Sequence, residues 1–170
     1  MGYTHYWRRV EQFRDEPYQK VVQDTCRLLL GVEKGGLALA GPMGTDKPEV
    51  NKDNIAFNGV EHCGHTKTDL GITWPADEAN GISEERDVSG TWFGGALLGT
   101  RQCGGNCAHE SFTLPKVFPL MEWSKPDGNG RFFDFCKTAY KPYDLPVIAC
   151  LLIAKHHLGD AIELTSDGTP

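Results

Sequence analysis

The chain has 170 residues, 39% hydrophobic and 24% charged, which suits one domain with its own core and is too apolar for a disordered segment. Its formal net charge of −6 excludes broad, nonspecific nucleic-acid binding, which needs a basic surface, and leaves room for a small basic pocket.

The opening "MGYTHYWRRV" has no apolar core of signal-peptide length, and Tyr6 stands where a myristoylation signal takes Ser or Thr. The longest apolar run, "LPVIACLLIA" at 145–154, reaches about half a membrane span. These features predict a cytoplasmic protein with no membrane partner. In that compartment the six cysteines stay reduced or bind metal.

The first zone runs to about residue 58. "YTHYWRRV" alternates bulky and polar residues and predicts a strand in which Tyr3, His5 and Trp7 share a face. "DEPYQKVVQDTCRLLLG" predicts a helix capped by Asp15, with Pro17 in its first turn and Gly31 at its end. Tyr18, Val21, Val22, Thr25, Leu28 and Leu29 fall on its core face. "GLALAG" and "NIAFNG" are short runs between turn residues and predict strands.

The second zone, 59–108, holds half of the 20 glycines and has poor hydrophobic periodicity. It is expected to be a long glycine-rich loop insertion, with Trp74, Trp92 and Phe93 as aromatics that pack down or present themselves to a partner.

The third zone supplies two strands, "HESFTLPKV" and "GRFFDFCKTA", joined through the turn "SKPDGNG". "YDLPVIACLLIAKHHLG" then predicts a helix apolar on nearly every face. Asp144 is its expected N-cap and Gly159 its end, with Leu151 and Leu152 both in the core. A last strand and turn follow in "DAIELTSDG". The order defines one α+β domain over 1–170: a mainly antiparallel sheet with two packed helices and the 59–108 insertion.

"MGYTHYW", the "FNG" after a short strand, "HESF", "FDFCKTAYKPYD" and "LLIAKHHLGDAIELTSDG" resemble an uncharacterised family of small bacterial and phage proteins. The resemblance covers the first and third zones and implies no activity, substrate or catalytic residue. It makes the middle zone an insertion, whose thiols then serve as local bracing.

Four groups of residues carry possible chemistry. "EHCGH" and "CGGNCAHE" offer Cys63, His65, Cys103 and Cys107, with His62 and His109 as alternates. Two close pairs of soft ligands are what structural zinc takes. A disulfide from Cys63 to Cys103 or Cys107, a catalytic metal, or plain thiols in a loop are the alternatives. In "FCKTAYKPYD", Lys137, Thr138 and Lys141 precede a helix N-terminus and form a candidate anion pocket, to which Tyr143 can add a hydroxyl. An Asp144 cap would compete for the same N–H groups. His109, Glu110 and Lys137 are the candidate catalytic residues, and a polar pocket of Tyr3, His5, Trp7, His109 and Lys137 forms if their strands adjoin. His156 and His157 close the last helix, where the dipole favours partial positive charge.

Two functions follow. One is a small soluble binding or interaction protein with a large loop braced by structural zinc, its partner a protein or a small anionic ligand. The other is a small enzyme acting on an anionic, nucleotide-like substrate through a His/Glu/Lys pocket.

Overall fold

The computed structural model describes residues 3–35, 37–63 and 105–167, and the backbone of four short strands between 63 and 105. The expected 59–108 insertion falls largely outside the described residues.

Strand β1 (Thr4–Arg9) opens the fold. His5, Trp7 and Arg9 are buried on one face, while Arg8 is exposed on the other. Helix α1 (Asp15–Lys34) follows and buries Tyr18, Val21, Val22, Thr25 and Leu29, the stripe that helical spacing predicts. Two of its ends differ from expectation. Arg14 holds the N-cap position without a side-chain cap, which puts Asp15 inside the first turn, where its charge still favours the dipole. The helix also runs through Gly31 and ends at Gly35, whose N–H bonds the Gly31 carbonyl. Val32 packs against the core just beyond Gly31, and that burial offsets the roughly 1 kcal/mol cost of a helical glycine.

Strands β2 (Leu39–Ala40), β3 (Glu49–Val50) and β4 (Ile55–Gly59) form a small antiparallel sheet in the order β2-β4-β3. β5 (Ile72–Trp74) pairs with β6 (Arg86–Val88), and β7 (Trp92–Phe93) with β8 (Ala96–Leu97). β9 (Phe112–Thr113) joins β4.

β10 (Phe132–Lys137), α2 (Asp144–Leu158), the turn Gly159–Ala161 and β11 (Ile162–Ser166) complete the chain. A three-stranded sheet results, in the order β10-β1-β11, with β1 antiparallel to both neighbours. β10 and β11 are therefore parallel to each other, and α2 is the crossover between them. The fold is α+β, with two helices and antiparallel sheets. α1 and α2 pack together, and one core runs through Trp7, Tyr18, Phe57, Phe112, Val147 and Ile162.

α2 corrects two expectations. Its inward stripe is Val147, Cys150, Leu151, Ala154 and Leu158, at spacings of three and four. Leu151 is 4% exposed and Leu152 is 56% exposed, so only the first is core. The absence of a polar face on this helix did not mean burial all round. Asp144 is also not the cap: Tyr143 holds that position, and the fully buried Asp144 carboxylate turns inward.

Arg9 shows how the two sheets are tied. Its buried guanidinium donates to the carbonyls of Val10, Glu11, Pro115 and Lys116 and lies 3.8 Å from the centre of the Phe13 ring. The chain after β9 is thereby fastened beside the end of β1.

Candidate functional site

At one end of the three-stranded sheet, register places His5 opposite Cys136 on β10 and opposite Ser166 on β11. Residues directly opposite share a face, so the three form a row on the helix-covered side. His5 is 2% exposed and has both ring nitrogens engaged. Nε2 lies 2.7 Å from Asp144 Oδ1, and Nδ1 lies 2.7 Å from Ser166 Oγ. Thr138, buried as well, donates its hydroxyl to the same Asp144 oxygen.

This arrangement sets the tautomer. A carboxylate only accepts, so the imidazole proton sits on Nε2, facing Asp144. In a neutral imidazole Nδ1 is then the lone-pair nitrogen and accepts the Ser166 O–H. Ser166 is exposed, whereas His5 and Asp144 are not. An accessible hydroxyl, a buried base and a buried carboxylate that orients it are the parts of nucleophilic catalysis by serine.

The surroundings hold the row in place. Asp167 accepts from the Thr4 N–H at 3.0 Å and the Tyr6 hydroxyl at 2.7 Å, which fixes the chain next to Ser166. The Tyr6 bond is the main reason its carboxyl stays below the ordinary range. Tyr3 lies edge-on to His5 at 4.9 Å and stacks on Tyr140 at 4.4 Å. The turn between β10 and α2 carries Ala139 and Tyr140 at φ 50° and 56°. Left-handed backbone at non-glycine residues costs about 1 kcal/mol or more each, and such strain gathers at functional sites. Here the turn delivers Thr138 and Asp144 to His5. Cys136, third in the row, bonds the Glu110 carbonyl, and burial pushes its thiol up to about 12, which makes it structural rather than nucleophilic.

His109, Glu110 and Lys137 also come together, through the Lys137 backbone. Glu110 Oε2 accepts the Lys137 N–H at 2.7 Å, and His109 Nδ1 donates to the Lys137 carbonyl at 2.7 Å. The Tyr143 hydroxyl donates to the Glu110 carbonyl at 2.6 Å. These bonds clip the chain before β9 to the end of β10. The Lys137 side chain shares the Thr4 face of the sheet, opposite His5, so the pocket of Tyr3, His5, Trp7, His109 and Lys137 divides between two faces. The anion trio is likewise dispersed. Thr138 points inward to Asp144, Lys141 Nζ donates to the Asn106 carbonyl at 2.8 Å, and Lys137 is the last residue of β10, opposite Thr4.

Of the metal set, Cys63 and Cys107 are described, and their sulfurs stand 3.4 Å apart. His65 and Cys103 lie outside the described residues. The alternate His62 is exposed, with Nε2 3.6 Å from Glu61, and His109 is committed to Lys137. Among the described residues no group of three or more His, Cys, Asp or Glu side chains is arranged to hold a metal ion. His157 reaches across to α1, with Nε2 2.7 Å from Asp24 Oδ2, and joins the two helices.

Sequence reasoning placed His5 on the correct face and missed its partners. Ser166 reads as part of the turn "TSDG", and Asp144 as a helix cap. A signal was present: His5 falls between Tyr3 and Trp7 on an apolar face, where a buried imidazole needs polar partners from elsewhere.

Fold and site define an α+β protein with a buried imidazole in contact with a buried carboxylate on one side and an exposed serine on the other. No protein-family model, curated protein or solved structure matches the chain. No helix among the described residues is long and apolar enough to cross a membrane.

Proposed function

We propose that this protein is a small serine-dependent hydrolase or acyltransferase, with Ser166 as nucleophile, His5 as general base and Asp144 as the group that orients and stabilises the imidazolium. The observation that carries this reading is the pair of 2.7 Å contacts on the two nitrogens of one buried imidazole, one partner the hydroxyl of an exposed serine, the other a buried carboxylate.

The chemistry balances without a cofactor. Ser166 Oγ attacks the carbonyl carbon of an ester or thioester, and its proton passes to His5 Nδ1. The tetrahedral intermediate collapses, the bond to the leaving group breaks, and the leaving group takes that proton. Water or an acceptor alcohol then gives a proton to Nδ1 and attacks the acyl-serine; Ser166 recovers the proton as the acyl bond breaks.

The test is labelling with an alkyl fluorophosphonate, followed by mapping of the modified peptide. Covalent phosphonylation at Ser166, lost in Ser166→Ala and slowed at least about 100-fold in His5→Gln, supports the reading. No adduct at Ser166 in folded protein removes it. An ester panel with neutral and anionic acyl groups then examines the anionic substrate class expected from Lys137 and Lys141.

The second reading is a binding protein braced at the base of its middle segment, supported by the 3.4 Å between the Cys63 and Cys107 sulfurs. Structural zinc on Cys63, His65, Cys103 and Cys107 would supply the brace, and the partner would be a protein or a small anionic ligand. One zinc per chain in protein purified without chelator supports it; zinc-free folded protein removes the metal.

A further inference from the structure

Cys63 and Cys107 are 44 positions apart in the chain, yet their sulfurs are in contact at 3.4 Å. Two thiols suffice for one chemistry, whereas structural zinc needs two more ligands. We infer that Cys63 and Cys107 form a redox-active dithiol site that takes a small-molecule disulfide as its substrate and closes into an intramolecular disulfide. The inference is independent of the relay at Ser166.

The two sulfurs are held differently. Cys107 is buried, its N–H bonds the Val60 carbonyl at 3.0 Å, and its own carbonyl is pressed against Gly59. A Cβ added at Gly59 would stand 2.0 Å from that oxygen, so the close approach of the two backbones depends on glycine there. Cys63 is half-buried and follows the turn at Glu61 and His62, where His62 adopts φ 55°. Bond formation requires an approach of about 1.4 Å, from contact distance to a 2.05 Å bond. Cys63 supplies that movement and is the sulfur a small reagent can reach.

The exchange proceeds in two steps. Cys63, as thiolate, attacks one sulfur of a disulfide RSSR; a mixed disulfide forms and RS⁻ leaves, taking up the proton that Cys63 released. Cys107 then attacks the Cys63 sulfur, the mixed disulfide breaks and a second RSH leaves. Two protein thiols lose two electrons and two protons, and one RSSR becomes two RSH. The product links residues 63 and 107 across the intervening chain.

The experiment equilibrates the full chain, chelator-treated, with oxidised and reduced glutathione, then alkylates and maps the cysteines. The expected result is a Cys63–Cys107 cross-linked peptide pair, reversed by excess reduced glutathione. Cys107→Ser should instead hold one glutathione on Cys63. Wild-type protein that accumulates the mixed disulfide without resolving it, or that leaves Cys107 open to alkylation, overturns the inference. So does a second arm without chelator in which one zinc per chain blocks all exchange, because the pair is then a metal brace. Each of these failures leaves the labelling of Ser166 unaffected.

Discussion

His5 Nε2 and Asp144 Oδ1 meet at 2.7 Å in the interior, one from the first strand and the other from the first turn of the last helix. A buried carboxylate without a partner is costly, so this contact and the Thr138 hydroxyl hold α2 against the sheet as well as orienting the imidazole. Removing His5 strands the carboxylate: His5→Ala should lose about 3–5 kcal/mol in a urea melt. Asp144→Asn separates fold from relay. It keeps the volume and most of the stability but lets the imidazole settle in either tautomer, so phosphonate labelling of Ser166 should fall about 100-fold or more. Labelling at the wild-type rate in Asp144→Asn would reduce the contact to a structural clamp.

Asp134 provides a pH-dependent prediction. Burial pushes its carboxyl up to about 6, against the pull of the Phe135 N–H and of Arg9. The unfolded value is about 3.9. A group raised on folding contributes its full stabilisation below the unfolded value and loses it as pH rises through the folded one. Stability from Asp134 should therefore decline between about pH 4 and 6, by about 1–2 kcal/mol after allowance for its partial exposure. Asp134→Asn removes this titration, so the variant should gain on wild type between pH 4.5 and 7.5 in paired urea melts. A constant difference across that range would mean Asp134 does not titrate there.

Local pattern made much of the fold readable. The alternation of "YTHYWRRV" located β1, and the apolar spacing of "YQKVVQDTCRLLL" located the buried face of α1. Long-range pairing was not readable. His5, Thr138, Asp144 and Ser166 come from separate elements, and no short motif joins them. Asp144 was misplaced for a physical reason: a carboxylate at a helix start serves equally as a cap or as a buried ion partner, and only the position of β1 decides. His109 and Glu110, candidate catalytic residues in the sequence, spend their polar atoms on the backbone of Lys137.

Leu151 and Leu152 test how α2 is buried. Leu151→Ala should cost about 2–4 kcal/mol, since it empties part of the core. Leu152→Ala should change stability by less than about 0.5 kcal/mol, because the side chain is more than half exposed. Equal losses in urea melts of the two variants would show that something covers the outer face of the helix.

Gly59→Ala should be among the most disruptive single changes in the chain, although it adds one carbon. The new Cβ would stand 2.0 Å from the Cys107 oxygen and 2.4 Å from the Cys107 carbonyl carbon, both backbone atoms. Neither can turn aside as a flexible side chain would. The chain at Cys107 must then move away from the end of β4 and lose its N–H bond to Val60. A loss of about 3 kcal/mol or more is expected, at the upper end of overpacking costs. Cys107 would also leave Cys63, so the Cys63–Cys107 cross-link formed in glutathione buffer should fall together with stability. Gly128→Ala is the matched control: nothing lies within 4 Å of its added carbon, and it should change neither quantity. If Gly59→Ala melts like Gly128→Ala and still forms the cross-link, the close approach of these two backbone segments is wrong, and with it the account of Cys107 as the fixed partner of the pair.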